Sequence, residues 1–183
     1  MDMPWTASDR ERLLRIYLDD HRAGAAGGVA LARRMLEQNP DNYLTATMRE
    51  LTDEIESDRD VLDDVVGRLG HSPNRVKMVM GAAGAWMGRM KANGYLRRYS
   101  PLSRLEEFEM LSAGILSKAS LWRSCELSLA GRPEFAGVDF KALWQRAESQ
   151  RTKLETHRAR IVDDAFGTAS ADGYRRVGGA EQA

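Results

Sequence analysis

Charged and polar residues interrupt the apolar stripes of this sequence at a few positions, and these residues are the candidates for ion pairing or metal binding. His21, Asp58 and Lys118 each stand in a run of apolar residues spaced three or four apart, and Gln150 and Arg151 do so farther along. A carboxylate and an ammonium group at core positions form a buried ion pair, whereas carboxylates with imidazoles hold a metal ion. The chemistry of the chain therefore depends on which of these side chains meet.

Composition narrows the class of protein. The chain has 183 residues, 43% of them hydrophobic, and its 27 basic and 27 acidic residues cancel. This balance argues against a nucleic-acid binder, which would carry a basic excess. The single cysteine, Cys125, excludes an internal disulfide framework, and the longest uncharged apolar stretch, residues 78–88, is too short to span a bilayer. We therefore expect a cytoplasmic protein that binds neither nucleic acid nor membrane.

Helix start and stop signals divide the chain into helices without strands. Asn39-Pro40, Ser72-Pro73 and Ser100-Pro101 each place a capping residue before a proline, and Ser8 with Glu11 has the spacing of a capping box. Glycines mark most of the helix ends. The signals predict one helical-bundle domain over residues 1–167, a disordered tail over 168–183, and five helices near 9–38, 40–69, 73–93, 101–130 and 140–166.

The near-absence of a loop at Pro40 predicts that the first two helices are antiparallel neighbours, with His21 level with Asp58. The turn near residue 135 likewise places Lys118 close to residue 152 on the last helix. We therefore predict a polar layer across the middle of the bundle. Its members are His21, Asp58, Lys118, and Gln150 or Arg151. The alternative is that some of these side chains lie at the stripe edge and reach water.

Two antiparallel helical hairpins, a long crossover and polar residues at mid-bundle resemble the ferritin-like superfamily, over residues 9–166. The resemblance implies an all-α four-helix bundle with an extra, shorter helix in the crossover. It also implies a site for two iron or manganese ions, bound by a Glu on each of two helices and a Glu-x-x-His on each of the others.

The sequence departs from this ligand pattern on every long helix. Glu54 lies four residues before Asp58 with no histidine, Lys118 occupies the stripe of the fourth predicted helix, and Glu148 is followed three residues later by Arg151. The resemblance is therefore to a divergent branch with a degenerate metal site. The residues that remain as candidate ligands are Asp20, His21, Glu54, Asp58, Glu107 and His157.

These departures favour one function over another. A cation facing Asp58 repels a metal ion, so we expect a non-enzymatic, metal-free bundle without cofactor or catalytic residues. Such a protein acts through self-association or a protein partner. The alternative is a carboxylate-bridged metal-binding protein, a di-iron or manganese oxidase or a metal store. Cations turned into the centre of the bundle favour the first hypothesis, and cations turned outward favour the second.

The third predicted helix, 73–93, is the candidate surface for self-association. It contains four methionines between residues 78 and 90, with apolar residues around the helix. This pattern makes the helix a candidate homodimer interface. The alternative is that it simply packs across its own bundle.

Overall fold

The computed structural model describes residues 5–70 and 99–167, which form an all-helical, bundle-like assembly. Four α-helices and one short 3-10 turn make up this part of the chain, and it contains no strand: α1 (Ala7–Gln38), α2 (Thr45–Arg68), α3 (Pro101–Leu129), the turn Pro133–Phe135, and α4 (Phe140–Phe166). The all-α prediction is confirmed for these residues. The predicted helix 73–93 and the predicted disordered tail 168–183 lie outside them.

Three of the four described α-helices, α1, α3 and α4, begin at side-chain caps. Ser100 and Asp139 each accept a hydrogen bond from the backbone N–H three residues on, so α3 and α4 begin where the sequence predicted. At the start of α1, Thr6 and Asp9 form a complete capping box. This box begins two residues before the predicted Ser8, because Thr6 and Asp9 have the same favourable spacing and the helix extends to the earlier cap.

The turn between α1 and α2 differs from the prediction. Asn39 ends α1 as its C-cap instead of starting the next helix, and Pro40 follows it, as prolines commonly follow helix ends. Asp41 then adopts a positive φ of 55°, which short polar side chains tolerate, and α2 begins only at Thr45. The predicted start of this helix at residue 40 was therefore wrong.

This longer turn changes the level at which α1 and α2 meet. Two ion pairs connect these helices: Arg22 with Asp63 at 2.5 Å, and Arg33 with Glu56 at 2.6 Å. On α2, Asp58 lies between Glu56 and Asp63. The part of α1 opposite Asp58 therefore lies between Arg22 and Arg33, on the C-terminal side of His21. The predicted alignment of His21 with Asp58 was wrong, because it placed almost no loop where residues 39–44 form a turn.

The core lies where the apolar faces of all four helices converge. α3 packs on both α4 and α1, while α2 packs on α1 and contacts α4. Trp122 and Phe108 are the largest fully buried side chains, and Phe135 closes the core from the 3-10 turn.

None of the helices in the described ranges combines the length and the apolar character that a membrane crossing needs.

Asn39 is the polar group that fixes one end of this assembly. It is fully buried, and its amide nitrogen donates to the backbone oxygen of Met35 at 2.7 Å and to the hydroxyl of Tyr99 at 3.2 Å. Its amide oxygen accepts from Asn42 Nδ2 at 3.1 Å and from Arg104 Nε at 2.8 Å. One side chain therefore connects the end of α1, the following turn and the start of α3.

We expect Asn39→Ala to lower the free energy of unfolding by about 2–3 kcal/mol, because several buried polar groups lose a partner at once. Urea denaturation measures this change. The exposed neighbour Gln38 provides the control, and Gln38→Ala should change stability by less than about 0.5 kcal/mol. Equal, small effects of the two substitutions would show that Asn39 does not hold this end together.

Candidate functional site

The centre of the bundle contains a buried carboxylate surrounded by groups from three helices. Asp58 lies in the middle of α2, and its side chain is 1% exposed. Lys118 faces it from the middle of α3, and Arg146 and Gln150 approach from one face of α4, four residues apart. We call these four residues the central network.

Short hydrogen bonds connect the members of the central network. Lys118 Nζ donates to Asp58 Oδ2 and to Gln150 Oε1, both at 2.5 Å. The amide nitrogen of Gln150 donates to the same Asp58 oxygen at 3.3 Å, and Arg146 Nη2 donates to the other one, Oδ1. Both carboxylate oxygens therefore have cationic partners, as a charge removed from water requires.

The central network carries one positive charge in excess. Two cations surround a single carboxylate, and the side chains of Lys118 and Arg146 are 15% and 34% exposed. Burial lowers the pKa of the Lys118 ammonium, and the neighbouring Asp58 carboxylate opposes that change without reversing it. An additional cation beside Asp58 would therefore be repelled by Lys118 and Arg146.

Two residues predicted for the polar layer lie elsewhere. His21 is half-buried with its ring against that of Tyr17, the centroids 4.6 Å apart, and no hydrogen bond joins it to Asp58. Burial lowers the pKa of the His21 imidazole. Arg151 is 41% exposed and pairs with Glu148 at 3.4 Å, because it is rotated away from the face that carries Gln150.

Arg146 is the member of the central network that the sequence analysis missed. It lies four residues before Gln150, so both side chains share one face of α4. The spacing was visible in the sequence. Arg151, adjacent to Gln150 in sequence, is about 100° away around the helix at 3.6 residues per turn.

The six candidate metal ligands are not brought together. Within residues 5–70 and 99–167, no group of three or more His, Cys, Asp or Glu side chains is placed to hold a metal ion. Asp20 is exposed, and His21 and Asp58 have the surroundings given above. The other three have separate partners: Glu54 binds Lys153 at 3.0 Å, Glu107 binds Arg34 at 2.6 Å, and His157 Nε2 lies 2.9 Å from the Thr47 hydroxyl.

Glu107 is a second buried carboxylate, but it lies far from the central network. It precedes Lys118 by 11 residues on α3, which is about 16 Å along the helix axis. Burial raises the pKa of the Glu107 carboxyl, and the Arg34 guanidinium opposes this effect. The nearby Tyr99 hydroxyl has its pKa raised to about 12, chiefly by burial. These groups link α1 to α3 at one end of the bundle.

A cleft of about 920 Å³ separates α1 from α3 beside the central network. Contacts bracket it at both ends, where the Tyr17 hydroxyl donates to Ser124 Oγ at 3.3 Å and Arg34 Nε binds Glu107 at 2.6 Å. Its lining is mostly apolar, and Asp58 of α2 is also among the lining residues. Its size and lining are those of a small-molecule site.

Glycines line both walls of this cleft. Gly24 and Gly28 lie one turn apart on α1, and Gly114 lies on α3. A Cβ atom at any of the three would meet no heavy atom within 4 Å among the residues described. Glycine in a helix costs about 0.5–1 kcal/mol relative to alanine, and packing within this part of the structure does not require it. The glycines widen the cleft.

Trp122, one of the residues that line the cleft, has an enclosed indole donor without a partner among the described residues. The residue lines the cleft and is fully buried, and within the described ranges its indole Nε1 has no hydrogen-bond partner. Buried indole N–H groups normally have an acceptor. Trp122 follows Lys118 by four residues, so the two side chains leave one face of α3 one turn apart.

We expect Asp58→Asn to destabilise the protein by about 3–5 kcal/mol, because it leaves two cations beside a neutral amide. Asp58→Leu combined with Lys118→Met should cost far less, since the pair is removed together and Arg146 can turn towards solvent. A double-mutant cycle by chemical denaturation measures the coupling.

The coupling of Asp58 should be larger with Lys118 than with the more exposed Arg146. Arg151→Ala serves as a control and should change stability by less than about 0.5 kcal/mol. A coupling near zero between Asp58 and Lys118 would mean that the buried pair does not form in solution.

Comparison of the chain with models of protein families, with curated proteins and with solved structures finds no match.

Proposed function

We propose that this protein is a metal-free helical bundle that acts by association instead of catalysis. The observation that carries the proposal is the pairing of Asp58 with both Lys118 and Arg146. A divalent ion at this carboxylate would have to displace two cations or lie beside them, and like charges at such short range repel strongly in a protein interior.

We also propose a ferritin-like arrangement of the helices, and the order of the contacts supports it. In each contacting pair, a residue early in one helix meets a residue late in the other, as in antiparallel neighbours. The contacts are Arg22–Asp63 and Arg33–Glu56 for α1 and α2, Tyr17–Ser124 and Arg34–Glu107 for α1 and α3, Glu109–Arg158 and Lys118–Gln150 for α3 and α4, and Thr47–His157 and Asp58–Arg146 for α2 and α4.

The ends of the described segments agree with a long crossover between two hairpins. Arg68, at the end of α2, donates to the backbone oxygens of Glu134 and Ala136 beyond α3. Tyr99, at the start of α3, contacts Asn39 at the end of α1. The connection from α2 to α3 therefore starts and finishes at opposite ends of the bundle, as in ferritin-like proteins.

The rival function, an iron or manganese oxidase or metal store, requires carboxylates that can converge on the ions. Glu54 and Asp58 lie one turn apart on α2, but Lys153 and Lys118 respectively occupy them. A metal ion at these carboxylates would leave the ammonium groups of Lys153 and Lys118 without their acidic partners. This arrangement favours the metal-free proposal.

Metal analysis tests the proposal directly. Protein expressed in medium supplemented with iron and manganese should contain well below one ion per chain, and added Mn²⁺ or Fe²⁺ should leave its Tm unchanged. An ion bound to the folded state would raise Tm by mass action. One or two ions per purified chain would refute the metal-free proposal.

Self-association through residues 73–93, which lie outside the described ranges, remains part of the proposal. If these residues join two chains, Met80→Lys with Met87→Lys should give a smaller soluble species in light scattering. Leu127→Lys, at an exposed apolar position of α3, controls for the added charge and should leave the mass unchanged. An unchanged mass with intact helicity would contradict a homodimer through this segment. Outright unfolding would instead indicate that the segment is needed for the core of the single chain.

A further inference from the structure

We draw no further inference here: the strongest candidate, the apolar cleft between α1 and α3 beside the central network, carries none, because nothing within the described residues shows what occupies it.

Discussion

The burial of one carboxylate constrains most of this structure. Asp58 is almost fully removed from water, and an isolated charge in such a position would cost far more than a domain's net stability. Partners must therefore come from α3 and α4 to the same point on α2. Because Lys118, Arg146 and Gln150 each lie at a fixed height on their helices, satisfying Asp58 sets the relative register of three helices at once. Apolar packing alone would specify the register less strictly, because a shifted helix would still place apolar side chains of similar volume against each other.

The sequence predicts the helices well where a single local signal marks each end. Ser100 before Pro101 and Asp139 before Phe140 define the starts of α3 and α4, and the turn centred near residue 135 made the relative level of these helices calculable. The sequence therefore predicted Lys118 in one layer with Asp58 and with either Gln150 or Arg151, and the structure brings Asp58, Lys118 and Gln150 together. A charged residue inside an apolar stripe is informative because it needs a partner that the stripe itself does not provide.

Elsewhere the local signals have two readings, and only tertiary contacts decide between them. Asn followed by Pro suits either a helix start or a helix end. Asn39 ends α1 because its side chain finds partners in Tyr99, just before α3, and in Arg104 of α3, and no residue near Asn39 in the sequence indicates these contacts. That change lengthens the following turn and moves His21 away from the level of Asp58. The choice between Arg146 and Arg151 is similar, because both flank Gln150 and the rotation of α4 about its axis decides which one faces inward.

The cleft follows from the way in which α1 joins the remainder of the bundle. Residues of α2, α3 and α4 supply all four members of the central network, so α1 is not needed to neutralise Asp58. α1 instead contacts α3 near its two ends, through Tyr17 and Arg34, and has glycines between these points. Because α1 contacts α3 near both ends and its glycines have no side chains between these contacts, a space remains beside the buried charges. Three helices therefore hold the charged centre, and the fourth forms a wall of the cleft beside it.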